Sequence, residues 1–144
     1  MVVLEVIVAA VFCVLGGLAA IFVRRELISR AGGTIDMNVR LSTFLPERGW
    51  APGLGRFVGE DLRWYRMFSL DPRPRRVLGR SGLVVEARRA PEGAERLAMP
   101  PGWIVLRCRH AGRTESTELA LAETAMAGFL SWVEAAPPGA RRRA

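Results

Sequence analysis

Chemistry needs a positioned acid, base, nucleophile, metal or phosphate-binding loop, and few side chains in this chain could supply one. Cys108 and the single histidine, His110, stand two residues apart on one face of an alternating run. Such a Cys-x-His pair offers two metal ligands where a structural zinc site wants four, and no second pair follows. The expectation is a packed thiol beside a turn histidine. Ser81 lies in Gly79-Arg80-Ser81-Gly82. That stretch misses the nucleophile elbow, because its second glycine comes one place early and no strand-to-helix step follows. Acidic residues occur singly or in turns, as at Glu60-Asp61, with no spaced carboxylate pair. Gly53-Leu54-Gly55 lacks the third glycine and the following helix of a phosphate loop. The chain therefore reads as non-enzymatic, without a metal site, and it implies no cofactor.

What remains is arginine. All 21 basic residues are Arg, against 14 acidic ones; setting Glu5 aside leaves 13 acids after Val23, a surplus of eight positive charges. Arg73, Arg75, Arg76 and Arg80 gather around two turns, and Arg88 and Arg89 fall across what reads as the same hairpin, so the six could converge on one rim. A guanidinium presents a bidentate fork to phosphate, which makes such a rim a site for anionic headgroups or an acidic protein face. The competing reading is a solvated surface whose charges balance neighbouring Glu and Asp. Nucleic acid, which the basic balance alone would invite, is set aside: no nucleic-acid motif is present, and a tethered domain meets lipid first.

The tether is the opening of the chain. Val6 to Val23 carries no charge and would form roughly 27 Å of helix, close to the hydrocarbon thickness of a bilayer. A cleaved signal peptide needs its basic residues in front, whereas here Arg24, Arg25 and Arg30 come behind. The positive-inside rule then places the N-terminus outside and the rest in the cytoplasm, on a single-pass, uncleaved anchor in the plasma membrane. Ala9, Cys13, Gly17 and Ala20 form a small-residue stripe that would let another helix approach. Cys13 in the span and Cys108 far along the chain cannot pair, which suits a reduced compartment.

Beyond the anchor (residues 1–30, including its juxtamembrane turn), residues 31–48 read as a linker or first strand, with a weak strand signal around Val39 to Phe44. Residues 49–136 read as the folded domain and 137–144 as a basic tail. Short alternating runs separated by Gly, Pro and Asp predict about six or seven antiparallel strands. They include Gly55–Val58 and Leu62–Ser69 about Gly59-Glu60-Asp61, Arg75–Leu78, Leu83–Arg88, Trp103–His110 and Thr114–Leu121. In the Leu62–Ser69 run both faces carry bulk, Trp64 on one and Tyr65 and Met67 on the other. The period then turns helical, with Ala122, Ala125, Met126, Phe129, Leu130 and Val133 on one stripe that Trp132 borders. A curved antiparallel sheet plugged by one C-terminal helix is the build of pleckstrin-homology-like and GRAM-like domains, an analogy of fold and not of activity.

Several stretches resemble one family, the membrane-anchored DUF2550 proteins of actinobacteria, whose function is uncharacterised. They are Leu62-Arg63-Trp64-Tyr65-Arg66, Arg75-Arg76-Val77-Leu78-Gly79-Arg80-Ser81-Gly82, Glu86-Ala87-Arg88-Arg89-Ala90-Pro91 and Phe129-Leu130-Ser131-Trp132-Val133-Glu134. Members are often encoded beside the ATP synthase genes, so the resemblance implies a link to that complex or its membrane, and it brings no catalytic residues. Two functional readings follow: a membrane-tethered module contacting anionic lipid or an acidic partner at the inner leaflet, or an accessory or scaffold subunit of a larger membrane complex. Nothing in the composition fixes an oligomeric state.

Overall fold

The computed structural model describes residues 1–30, 33–41 and 49–135. The side chains of residues 28–30, Arg30 included, the stretch 42–48 and the basic tail 137–144 lie outside the described residues. The chain opens with α1 (Val2–Arg30), whose 26 residues Val2–Leu27 are long and apolar enough to cross a membrane. Apolar side chains face outward all along it. Such a helix has no polar face to offer water and suits a lipid surround.

The strands that follow are β1 (Thr34–Arg40), β2 (Trp50–Val58), β3 (Asp61–Arg66), β4 (Arg76–Gly79), β5 (Leu83–Arg89), β6 (Trp103–His110) and β7 (Ser116–Ala122). A single turn, α2 (Glu95–Ala98), interrupts them, and α3 (Glu123–Glu134) closes the described chain. All seven strands make one antiparallel sheet in the order β4-β3-β2-β1-β7-β6-β5. Laid flat, seven strands would set the two edges roughly 29 Å apart. Yet β4 and β5, one at each edge, are joined only by Arg80, Ser81 and Gly82, which span no more than about 14 Å. The sheet must curl into a half-barrel, and this short bridge enforces it.

The Gly79–Gly82 reversal is thus real, but its flanking strands do not pair with each other. β4 hydrogen-bonds to β3 and β5 to β6, so the hairpin expected there is a crossing between edges. The β2–β3 hairpin does form, through the two-residue loop Gly59-Glu60, with Gly59 at φ +59° supplying the left-handed conformation its first position needs.

Inside the curl Met37, Val39, Leu62, Trp64, Leu106, Cys108, Leu119, Leu121 and Phe129 form the core. Trp64 donates its indole N–H to the Met37 carbonyl at 3.1 Å. The ring reaches β1 because β2 between them carries Gly53, where a Cβ would overlap the indole. α3 plugs the open end with Phe129 and Val133, while Trp132 donates to the Gly59 carbonyl at 3.3 Å and packs on Phe57 with ring centroids 5.1 Å apart. The expected apolar N-terminal helix, curved antiparallel sheet and capping helix are all present. β1 starts earlier than its sequence signal suggested and is the central strand rather than a linker.

Candidate functional site

The six arginines expected to share a rim differ in the partners they meet. Arg80 forks onto Glu60, with Nε 3.2 Å from Oε2 and Nη2 on the other oxygen, and only 14% of its side chain is exposed. Arg89 forks onto Glu95 at 2.6 and 2.9 Å and stands 3.7 Å from Glu118. Both charges are matched inside the protein. Arg88, at the β5 edge, places Nη1 3.9 Å from the Met126 sulfur on α3. Arg73, Arg75 and Arg76 are exposed and form no ion pair among the described residues. Arg76, on β4, lines a recess with Arg40, Arg107 and Glu118, and Arg89, on β5, lines the neighbouring one with the same three residues.

A different grouping forms where α1 meets the sheet. Arg24, the first charge after the apolar run, donates from both guanidinium nitrogens to the carbonyls of Ser69 and Asp71 in the β3–β4 loop. Beside it an open groove of about 600 Å³ is lined by Ala19, Ala20, Val23, Leu27, Tyr65 and Pro72, with Arg56 on its wall. A smaller recess of about 350 Å³ brings Phe22, Arg25 and Glu26 opposite Thr34, Asp36 and Leu54. Leu54 faces away from the core, yet it is only 6% exposed, because the end of α1 covers it. The same cover explains why β3 carries bulk on both faces: Trp64 fills the core, while Tyr65 and Met67 meet Ile21, Arg24 and Arg25.

Arg56 and Arg66 therefore join Arg24 and Arg25 at this junction, and sequence reading missed them. For Arg56 the signal was the period of two. Arg56 pairs in register with Arg63 and lies on the same outward face as Leu54, two residues before it. Ala20, the last of the small-residue stripe, lines the wide groove, whereas Gly17 has nothing within 4 Å of where a side chain would stand.

The remaining charges build a network across the outer face of β1, β7, β6 and β5. Glu118, 8% exposed, accepts from Arg40 and, at 3.2 Å, from Arg107; Arg89 links it to Glu95, which also accepts from the Trp50 indole at 3.2 Å and the Glu92 amide at 3.1 Å. The Arg89 fork outweighs burial and, with the Glu92 amide, holds the Glu95 carboxyl down to about 2. Burial pushes Glu118 upward, and the hydrogen bonds from Arg40 and Arg107 together overcome it, leaving its pKa below the ordinary value. Glu95 went unnoticed in the sequence because it sits on a one-turn helix after Ala90-Pro91-Glu92-Gly93.

The Cys108 thiol is pushed up to about 12, by burial first and the Glu86 charge second, so the fold favours its protonated form. Ser81 is exposed in its turn. His110 ends β6, beside Gly79 and Gly82. Among the described residues no three His, Cys, Asp or Glu side chains cluster closely enough to hold a metal.

A single apolar helix leading into a half-barrel sheet with a C-terminal plug, and arginines gathered where helix and sheet meet, defines a small protein with one candidate membrane anchor and one β domain. The chain belongs to the DUF2550 family, described as proteins of unknown function, whose profile matches residues 11–139. It is 39% identical over 117 residues to an uncharacterized protein of Mycobacterium leprae (strain TN), covering 79% of each chain. It is 37% identical over 117 residues to an uncharacterized protein of Mycobacterium tuberculosis (strain H37Rv), again with 79% of each chain covered. No solved structure matches it.

Proposed function

We propose that this chain is a non-enzymatic, membrane-tethered binding module whose basic junction contacts anionic lipid headgroups at the inner leaflet of the plasma membrane. The carrying observation is which arginines lack acids. Arg80 and Arg89 are neutralised within the fold, whereas Arg73, Arg75 and Arg76 have no acidic partner among the described residues and directly follow the loop that Arg24 holds. Arginines close behind a span, with none before it, favour the cytoplasmic side for the domain. There each Arg near an anionic surface gains about 1 kcal/mol.

Hydrogen exchange on the full chain in vesicles tests the reading. Exchange of the backbone amides from Arg66 to Leu78 slows as phosphatidylglycerol replaces phosphatidylcholine, and 0.5 M salt or a Arg73→Gln/Arg75→Gln/Arg76→Gln variant removes the effect. Exchange that ignores lipid charge at low salt overturns it. The second reading, an accessory subunit of a membrane complex with a link to ATP synthase, rests on the two open sheet edges, β4 and β5. A stoichiometric complex recovered after gentle detergent extraction would favour it.

A further inference from the structure

Phe68 and Leu70 are 72% and 69% exposed, on a loop where two large apolar side chains have no core to enter. Their position gives them one. Arg24 ends the charge-free run of α1 and binds the carbonyls on either side of Leu70, those of Ser69 and Asp71. The loop is thereby fixed beside the first charge that follows the apolar run. Pro72, in the same loop, lines the groove whose helix wall is Ala19, Ala20, Val23 and Leu27.

The loop is also pre-shaped. The Met67 amide donates to the Pro52 carbonyl at 2.9 Å and the Arg75 amide to the Trp64 carbonyl at 2.8 Å, clamping its two ends. Within it the Asp71 amide donates to Ser69 Oγ at 3.2 Å and the Arg73 amide to Asp71 Oδ1 at 3.0 Å, and Pro72 and Pro74 fix φ. Exposed Arg66 precedes the apolar pair and exposed Arg73 and Arg75 follow it, the arrangement of an interfacial wedge flanked by phosphate-binding cations.

We propose that the β3–β4 loop is a membrane-insertion loop: Phe68 and Leu70 enter the interfacial layer of the leaflet beside α1, while Arg66, Arg73 and Arg75 contact lipid phosphate. The ligand is the bilayer surface itself. This inference rests on the reading of the domain as tethered at a membrane, but it does not require anionic lipid, because every phospholipid carries the phosphate and the acyl chains that the loop would meet.

The test places an environment-sensitive fluorophore on Phe68→Cys and, separately, on Leu70→Cys in the full chain carrying Cys13→Ala, reconstituted into phosphatidylcholine vesicles with and without phosphatidylglycerol. Leu97→Cys, on an apolar side chain that is 92% exposed on α2, is the control. Insertion gives iodide quenching at 68 and 70 at least roughly fivefold below that at 97, with quenching by a doxyl group high on the acyl chain, in both lipid mixtures. Labels at 68 and 70 that are as open to iodide as the one at 97, and blind to the doxyl lipid, overturn the loop. Shielding in neutral vesicles together with amide exchange indifferent to lipid charge keeps the loop and removes the anionic-headgroup reading. Charge-sensitive exchange with both labels in water does the reverse.

Discussion

At the scale of single residues, Gly53 decides where Trp64 can lie. The indole crosses β2 to reach the Met37 carbonyl, and a methyl group at Gly53 would overlap its Nε1 and the Tyr65 carbonyl. Gly53→Ala should therefore cost about 2–4 kcal/mol in urea unfolding, with altered near-ultraviolet dichroism, since the ring must leave its rotamer and strand the indole N–H. A second residue-scale expectation concerns Glu95. An ordinary glutamate titrates near 4.5 and the folded Glu95 at about 2. A folded value below the unfolded one means that its stabilisation is complete above the unfolded value and is lost as pH falls through the folded one. Glu95→Gln should lose about 1–3 kcal/mol at pH 7, and its stability should fall less steeply than the parent's between about pH 5 and pH 2. Phosphatidylglycerol should still slow amide exchange from Arg66 to Leu78 in this variant, because Glu95 and its partner Arg89 belong to the ionic network and not to the junction.

At the scale of elements, α3 is a plug, and its attachment to the sheet is concentrated in few side chains. Phe129 is fully buried within the curl, so Phe129→Ala should destabilise by roughly 3–5 kcal/mol, read by thermal unfolding of the full chain in detergent. This helix and the strands β3, β6 and β7 were legible in the sequence because their apolar residues keep the period of the element that carries them. β1 was only faintly legible. Ile35, Met37 and Val39 alternate cleanly, but Asp36, Asn38 and Arg40 between them lower strand propensity, and only the fold shows that their outer face is where Arg40 meets Glu118. The first half of β2 was hidden by Pro52 and Gly53, residues poor in strands, of which Gly53 admits Trp64 just as Gly55 beyond it admits Met37. The strand pairing about Gly79–Gly82 was misread for a topological reason. A four-residue reversal between two strands looks the same in one dimension whether the strands pair or sit at opposite edges, and only the second holds at Gly79–Gly82.

At the scale of the whole molecule, Arg24 joins the two proposals, orientation and docking. With Arg25 and Arg30 it supplies the positive charge behind the apolar run, and its guanidinium ties the Ser69 and Asp71 carbonyls to α1. These two duties separate on substitution. Arg24→Gln leaves Arg25 and Arg30 behind the span, so under the proposed orientation a C-terminal fluorescent-protein fusion should stay bright and an alkaline-phosphatase fusion inactive, as in the parent. The same change removes both charge-assisted bonds to the loop. A fluorophore at position 70 should then become more accessible to iodide, by roughly two- to tenfold if those bonds contribute about 0.5–1.5 kcal/mol to holding the loop at the anchor. A parent chain whose phosphatase fusion is active would place the arginines on the far side of the membrane and remove the inner-leaflet reading. An Arg24→Gln chain with unchanged loop shielding would show that Phe68 and Leu70 find the bilayer without the anchor's help. In that case the wedge would depend on the apolar side chains and their flanking arginines alone, and the helix would serve only as a tether.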